Sequence, residues 1–213
     1  VKVDIWSDIA CPWCFLGKRR FERAVAAFAA DGGEVDVEYH SYELSPGAAA
    51  EFPGRSEEFL AAHLGVPVEK ARRMNAQMAE LAATEGLAYD FDALQHTNTS
   101  SAHQLLHLAK VHGRQLDMLE RLLTAYFEQG GHVGRVEDLA DLAAEIGLDR
   151  DAVVRALIDG TYVAAVEADR DQAVEHGIGG VPFHVVDGRY AISGAQESEI
   201  FEQTLRRAAA AVD

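Results

Sequence analysis

The chain opens on alternation. Val1, Val3 and Ile5 are apolar while Lys2 and Asp4 are polar, so residues 2–7 read as a short strand. Over residues 15–30 the spacing changes, and Leu16, Phe21, Val25 and Phe28 approximate one face of a helix. Asp31-Gly32-Gly33 closes that helix. Alternation returns over 34–44, with Val35, Val37 and Tyr39 on one side, and predicts a second strand. Strand, helix and strand thus follow one another, with Cys11-Pro12-Trp13-Cys14 at the start of the helix.

The middle of the chain is helical in pattern. Helices are predicted over 56–64, 67–85, 98–112, 115–128, 136–146, 150–159 and 162–176, separated by glycines such as Gly65, Gly86, Gly113 and Gly147. Abundant alanine suits that state. After Gly177 strand signals return. Phe183-His184-Val185-Val186-Asp187 is one strand, Asp187-Gly188 a hairpin turn, and 189–192 the returning strand. Ser193-Gly194-Ala195-Gln196 has capping-box spacing and precedes a last helix ending near residue 210. The expected architecture is an α/β sheet interrupted by helices. One discontinuous domain is expected over 1–50 and 177–213, with a helical insertion over 51–176.

Composition narrows the function. A formal charge of −16, from 35 acidic and 19 basic residues, repels phosphate backbones and argues against nucleic-acid partners. No run approaches the ~20 apolar residues of a membrane span, so no membrane partner is expected either. The first residues read as strand rather than as a charged and apolar leader, which points to the cytoplasm. Because the chain begins with Val, a preceding segment is left open. A cytoplasmic pair of cysteines is rarely a structural staple and reads as redox or metal chemistry.

Cys11 and Cys14 are three positions apart at a helix start. One helical turn brings two such thiols within bonding reach. Unpaired N–H groups and the helix dipole favour an anion there, so Cys11 is the expected nucleophile and Cys14 the resolving partner. Pro12 suits a first turn because its missing N–H has no helical partner to lose. A half zinc site is the competing reading, but a closed site needs four ligands and there is no second pair of this spacing. An inert pair is the other alternative. No metal site is assigned. Pro182 precedes a strand, and on proline statistics alone it is an ordinary loop proline, since only ~5–6% of X–Pro bonds are cis. The cysteine pair at one end and the ββα pattern at the other favour a cis Val181–Pro182 bond facing the thiols.

Ser7-Asp8-Ile9-Ala10-Cys11-Pro12-Trp13-Cys14-Phe15-Leu16-Gly17-Lys18 resembles the start of DsbA-like thioredoxin proteins, specifically the FrnE-type subfamily. Gly180-Val181-Pro182-Phe183, Ser193-Gly194-Ala195-Gln196, the stretch Ala102-His103-Gln104-Leu105-Leu106 and Ala125-Tyr126-Phe127 are similar to it as well. The resemblance implies a thioredoxin-like fold with an all-helical insertion and disulfide exchange with protein or small-molecule thiols. No cofactor is implied beyond the Cys11–Cys14 pair, with glutathione a candidate co-substrate. A related branch, the glutathione-dependent 2-hydroxychromene-2-carboxylate isomerases, shares the fold but carries serine at the first cysteine position. Isomerisation of a small aromatic or polyketide substrate is therefore the alternative, and a binding or chaperone-like module the third.

Other residues carry weaker signals. Asn98 precedes a helix and reads first as a cap, but the resemblance puts that helix start near the cleft, so a substrate contact through Asn98 is kept open. His103 and His107 share a helix face near His96 and His112, yet Gln104 stands where a zinc-protease glutamate would fall. Trp13 is a candidate partner contact. It also separates this chain from periplasmic DsbA, which has Pro-His between its cysteines. Trp offers only a neutral indole donor to a thiolate, whereas histidine offers a charge-assisted one. Equilibration with glutathione is therefore expected to give a Cys11–Cys14 couple more reducing than the ~−120 mV of DsbA, and a value at or above that overturns the argument.

Overall fold

The computed structural model describes residues 1–211. Its secondary structure follows the order β1 (Lys2–Ser7), α1 (Pro12–Ala30), β2 (Asp36–Ser41), α2 (Ser56–Leu64), α3 (Val68–Thr84), α4 (Ser100–Val111), α5 (Gln115–Glu128), α6 (Val136–Glu145), α7 (Arg150–Ile158), α8 (Val163–Glu175), β3 (Phe183–Val186), β4 (Tyr190–Ser193) and α9 (Ser198–Ala210). The predicted elements all form. Most boundaries move by one to three residues, as expected where ends fray.

Two compact units share the chain. One comprises Val1–Leu44 together with the chain from Glu167 onward, and the other Ser45–Val166. The breaks lie earlier than the composition changes at 51 and 176. The second falls inside α8 because Ala173 of that helix is buried with Trp6 and Ile178, against Tyr42, Val181, Phe183 and Val185. Helical periodicity runs through residue 166 without marking which unit each turn packs on.

The first unit is a four-stranded sheet in the order β2-β1-β3-β4. β1 pairs parallel with β2 and antiparallel with β3, with Ile5 opposite His184 and Trp6 opposite Phe183. Period-two alternation then assigns the faces. Val3, Ile5, Tyr39, His184 and Val186 are buried. On this face α1 packs with α9, and Phe21 meets Phe201 edge-on with ring centres 5.6 Å apart. Asp187 and Gly188, at φ 48° and 64°, form the β3–β4 turn. Both central residues at positive φ match the turn that Asp-Gly sequences favour between hairpin strands.

The expected cap at Ser193 is not one. Ser193 ends β4, Gly194 turns at φ 80°, and α9 starts at Ser198 with Glu197 as its N-cap. Gln196 instead donates through Nε2 to the Ser193 carbonyl at 2.8 Å. The spacing was right for a cap, but the strand register of β4 claimed Ser193 first.

The second unit is all helix among its described elements. α2 packs on α3, and α4 to α7 pack together. Leu105, Met118, Leu119, Leu122, Leu123 and Leu139 form its buried centre. Asp149 caps α7 by accepting from the Ala152 N–H at 2.7 Å. Among the described residues no helix is long and apolar enough to cross a membrane.

His184 is a buried exception in the sheet core. It retains 1% of its surface and lies between Phe21 and Phe201, 5.4 and 4.7 Å from their ring centres. Burial depresses its pKa to about 4, against a weaker opposing hydrogen bond to the Ile192 backbone. The folded pKa lies below the unfolded one, so the unfolded state binds more protons between them. Stability from this group is complete above about pH 6.5 and is lost as pH falls toward 4. Going from pH 7 to 4.5, urea unfolding of wild type is expected to lose about 2 kcal/mol more than unfolding of His184→Leu. Parallel losses in the two proteins would overturn this.

Candidate active site

The site is built where β1 ends and α1 begins. Ser7, Asp8 and Ile9 are buried, and Cys11 occupies the N-cap of α1 with φ −94° and ψ 112°. Pro12 takes the first helical position, where it costs no hydrogen bond. The Cys14 N–H donates to the Cys11 carbonyl at 3.0 Å, closing the first turn. Both cysteines are free thiols. The pattern therefore places the pair as anticipated, one turn apart at a helix N-terminus.

Asp8 fixes the approach to that turn. Its Oδ1 accepts from the Ala10 N–H at 3.2 Å and its Oδ2 from the Leu44 N–H at 2.8 Å. Its carbonyl accepts from the Cys11 N–H at 3.2 Å. One buried carboxylate thus joins the cysteine loop to the chain leaving β2. Sequence reasoning gave Asp8 no role. Its bond to the residue two ahead is an Asx turn, a signal that was readable; its bond to Leu44 was not.

Across from Cys11 lies the loop entering β3. Val181–Pro182 is a cis peptide, and the Cys11 Sγ lies 3.7 Å from the Val181 carbonyl oxygen, which accepts from the thiol. Residues 170 positions apart are brought together by the β1–β3 register. Trp13 stands between the thiols with 48% of its surface exposed, while Trp6 and Phe15 are buried as core.

Both thiols are covered, Cys14 keeping 2% and Cys11 4% of its surface. Burial pushes the Cys14 thiol well above its usual range, and a hydrogen bond to Cys11 adds to that. The Ser7 hydroxyl and the Asp8 backbone act in the opposite direction. Cys14 therefore keeps its proton at neutral pH, as suits a group that acts second.

In the helical unit, Asn98 accepts from the Ser100 N–H at 2.8 Å and donates to the Pro46 and Ala48 carbonyls, each at 3.3 Å. Its amide ties down a loop at the start of α4. His96 is buried, with Nδ1 3.1 Å from the Tyr126 hydroxyl, and His103 is buried as well. Among the described residues, the only three close ligating groups are Asp4, Glu38 and His40. They form an ion network. His40 reaches Asp169 through Nδ1 at 2.9 Å and Asp4 through Nε2 at 3.0 Å, and Lys2 lies 3.0 Å from Asp4 and 3.7 Å from Glu38. Burial works to lower the His40 pKa, but Asp169 and Asp4 outweigh it and the imidazole is raised above its usual range. Both ring nitrogens of His40 thus meet carboxylates, and the ring stacks on Trp6 at 4.6 Å between ring centres.

A thiol at a helix start, a second thiol one turn in and a cis-proline loop opposite define a thioredoxin-fold site. The DSBA-like thioredoxin domain model matches residues 2–206, and the chain belongs to that family. It is similar to a probable DsbA oxidoreductase from Streptomyces coelicolor, with 41% identity and a TM-score of 0.90. That match covers 98% of this chain and 90% of the other. It is 27% identical to the Bacillus subtilis protein YwbO over 96% of each chain. The fold also extends to a 2-hydroxychromene-2-carboxylate isomerase, with 15% identity, a TM-score of 0.73 and coverage of 97% and 95%.

Brief alkylation with iodoacetamide at pH 7 is expected to label Cys11 alone, read by peptide mass. Cys11→Ser is expected to abolish labelling and Cys14→Ser to retain it. Label arriving first on Cys14 would reverse the assignment.

Proposed function

We propose that the protein is a thiol–disulfide oxidoreductase acting on protein or small-molecule disulfides through Cys11 and Cys14. The observation that carries this reading is the Cys11 thiol at a helix N-terminus, 3.7 Å from the Val181 carbonyl. In the reducing direction, the Cys11 thiolate attacks one sulfur of a substrate disulfide. That S–S bond breaks, a mixed disulfide forms, and the other substrate sulfur leaves as a thiolate and takes a proton. Cys14 then gives up its proton and attacks the Cys11 Sγ. The second substrate sulfur leaves, and the enzyme holds an internal disulfide. Two electrons pass from enzyme to substrate, and the oxidising direction reverses every step. The Val181 backbone is the group that aligns an extended substrate beside Cys11. The electrons reside in the cysteine pair, so the cycle calls for no resident cofactor. Glutathione or another small thiol is the proposed recycling partner, and the cytoplasm the proposed compartment.

Insulin reduction with dithiothreitol tests the reading. Wild type is expected to accelerate precipitation of the B chain, Cys11→Ser to fall to the uncatalysed rate, and Cys14→Ser to accumulate a mixed disulfide visible by mass. Glutathione-dependent isomerisation of a hydroxychromene carboxylate, without insulin reduction, would favour the isomerase alternative instead.

A further inference from the structure

Gly17 sits inside α1, two turns after Cys11, and is buried. A glycine within a helix weakens it relative to alanine, so its presence there needs a reason. Conformation is not the reason, because Gly17 is absent from the positive-φ residues and lies in regular helix. Space is. A Cβ on Gly17 would lie 3.0 Å from Pro182 Cγ, 3.2 Å from Ala195 Cβ and 3.4 Å from Ala195 Cα. The helix and the proline loop approach each other as closely as a missing methyl allows.

The neighbouring contacts leave that loop little freedom to retreat. The Pro182 carbonyl accepts from the Gly194 N–H at 2.8 Å. Arg20, one turn beyond Gly17, donates to the Ala195 carbonyl at 2.9 Å and pairs with Glu197 at 2.8 Å. Pro182 follows Val181 directly, and the Val181 carbonyl is the atom facing Cys11. A methyl at position 17 must therefore displace Pro182 or Ala195 by some tenths of an ångström and carry the Val181 carbonyl with it. Interiors at crystal-like packing density transmit such shifts rather than absorb them.

We infer that Gly17 is a positioning residue: its missing side chain sets the separation of the Val181–Pro182 loop from Cys11, and with it the access of an extended peptide to the thiol. The inference rests on the oxidoreductase reading. A small disulfide needs only the sulfur of Cys11. A peptide disulfide needs the sulfur and the aligned backbone of Val181 together, so the two substrates separate positioning from reactivity.

The test compares wild type, Gly17→Ala and Gly17→Ala/Ala195→Gly as full chains. Reduction of a disulfide-bonded peptide and of hydroxyethyl disulfide is followed with dithiothreitol as the electron source. Gly17→Ala is expected to lower kcat/KM for the peptide by about tenfold while changing the hydroxyethyl disulfide rate by less than about twofold. Removing the Ala195 methyl relieves one of the two close side-chain contacts and is expected to recover part of the loss, leaving the peptide rate about threefold below wild type because Pro182 Cγ still faces the new methyl. Equal losses on both substrates would mark a general structural defect and overturn the inference, as would no loss or no rescue. Should Gly17→Ala fail to fold by circular dichroism, the double variant carries the test. Pro182 Cγ still faces its new methyl, so the peptide rate alone must fall below wild type. A wild type inert toward both disulfides would sink the oxidoreductase reading and this inference with it.

Discussion

The antiparallel pairing of β1 with β3 is the interaction on which the site depends. With Trp6 opposite Phe183, the chain leaves β1 toward Cys11 at the same end of the sheet where it enters β3 from Val181 and Pro182. A one-residue slip of β3 would turn Phe183 and Val185 to the face covered by α1 and α9 and His184 out of the core. The register is thereby fixed by burial of His184 and Val186, and the 3.7 Å contact between thiol and carbonyl follows from it.

The two faces of the sheet handle polarity differently. On the face covered by α1 and α9, a neutral His184 is kept from charging by surrounding rings. On the other, Asp169 and Asp4 raise the pKa of His40 between them, and the indole of Trp6 donates to the Asp169 carbonyl at 3.2 Å. The same side-chain type is pushed in opposite directions by its surroundings, since desolvation dominates in one case and is outweighed by carboxylates in the other. Asp169 also accepts from the Ser41 N–H at 2.7 Å, so α8 is bound to the sheet beside the strand that leads to the cysteines.

Local pattern carried much of this. Alternation in 2–7 and the spacing after Phe15 marked β1 and α1, Asp187-Gly188 marked the hairpin, and the Cys11–Cys14 spacing placed two thiols one turn apart at a helix start. These features depend on neighbours within one or two turns. Ser193 was misread because a cap and a strand end look alike until the strand partner is known. Asn98 was read first as a cap, and its side chain does accept from the Ser100 N–H, while its amide also bonds a loop some 50 positions earlier in the chain.

By itself the sequence determined which residues can do redox chemistry and which segments are strand or helix, because propensity, turn chemistry and thiol spacing are written locally. Only the tertiary structure decided that Val181 meets Cys11, that Asp8 anchors Leu44, and that Gly17 lies against Pro182 and Ala195. Those contacts join segments far apart in the chain. They are fixed by strand register and close packing, which no single stretch of residues encodes.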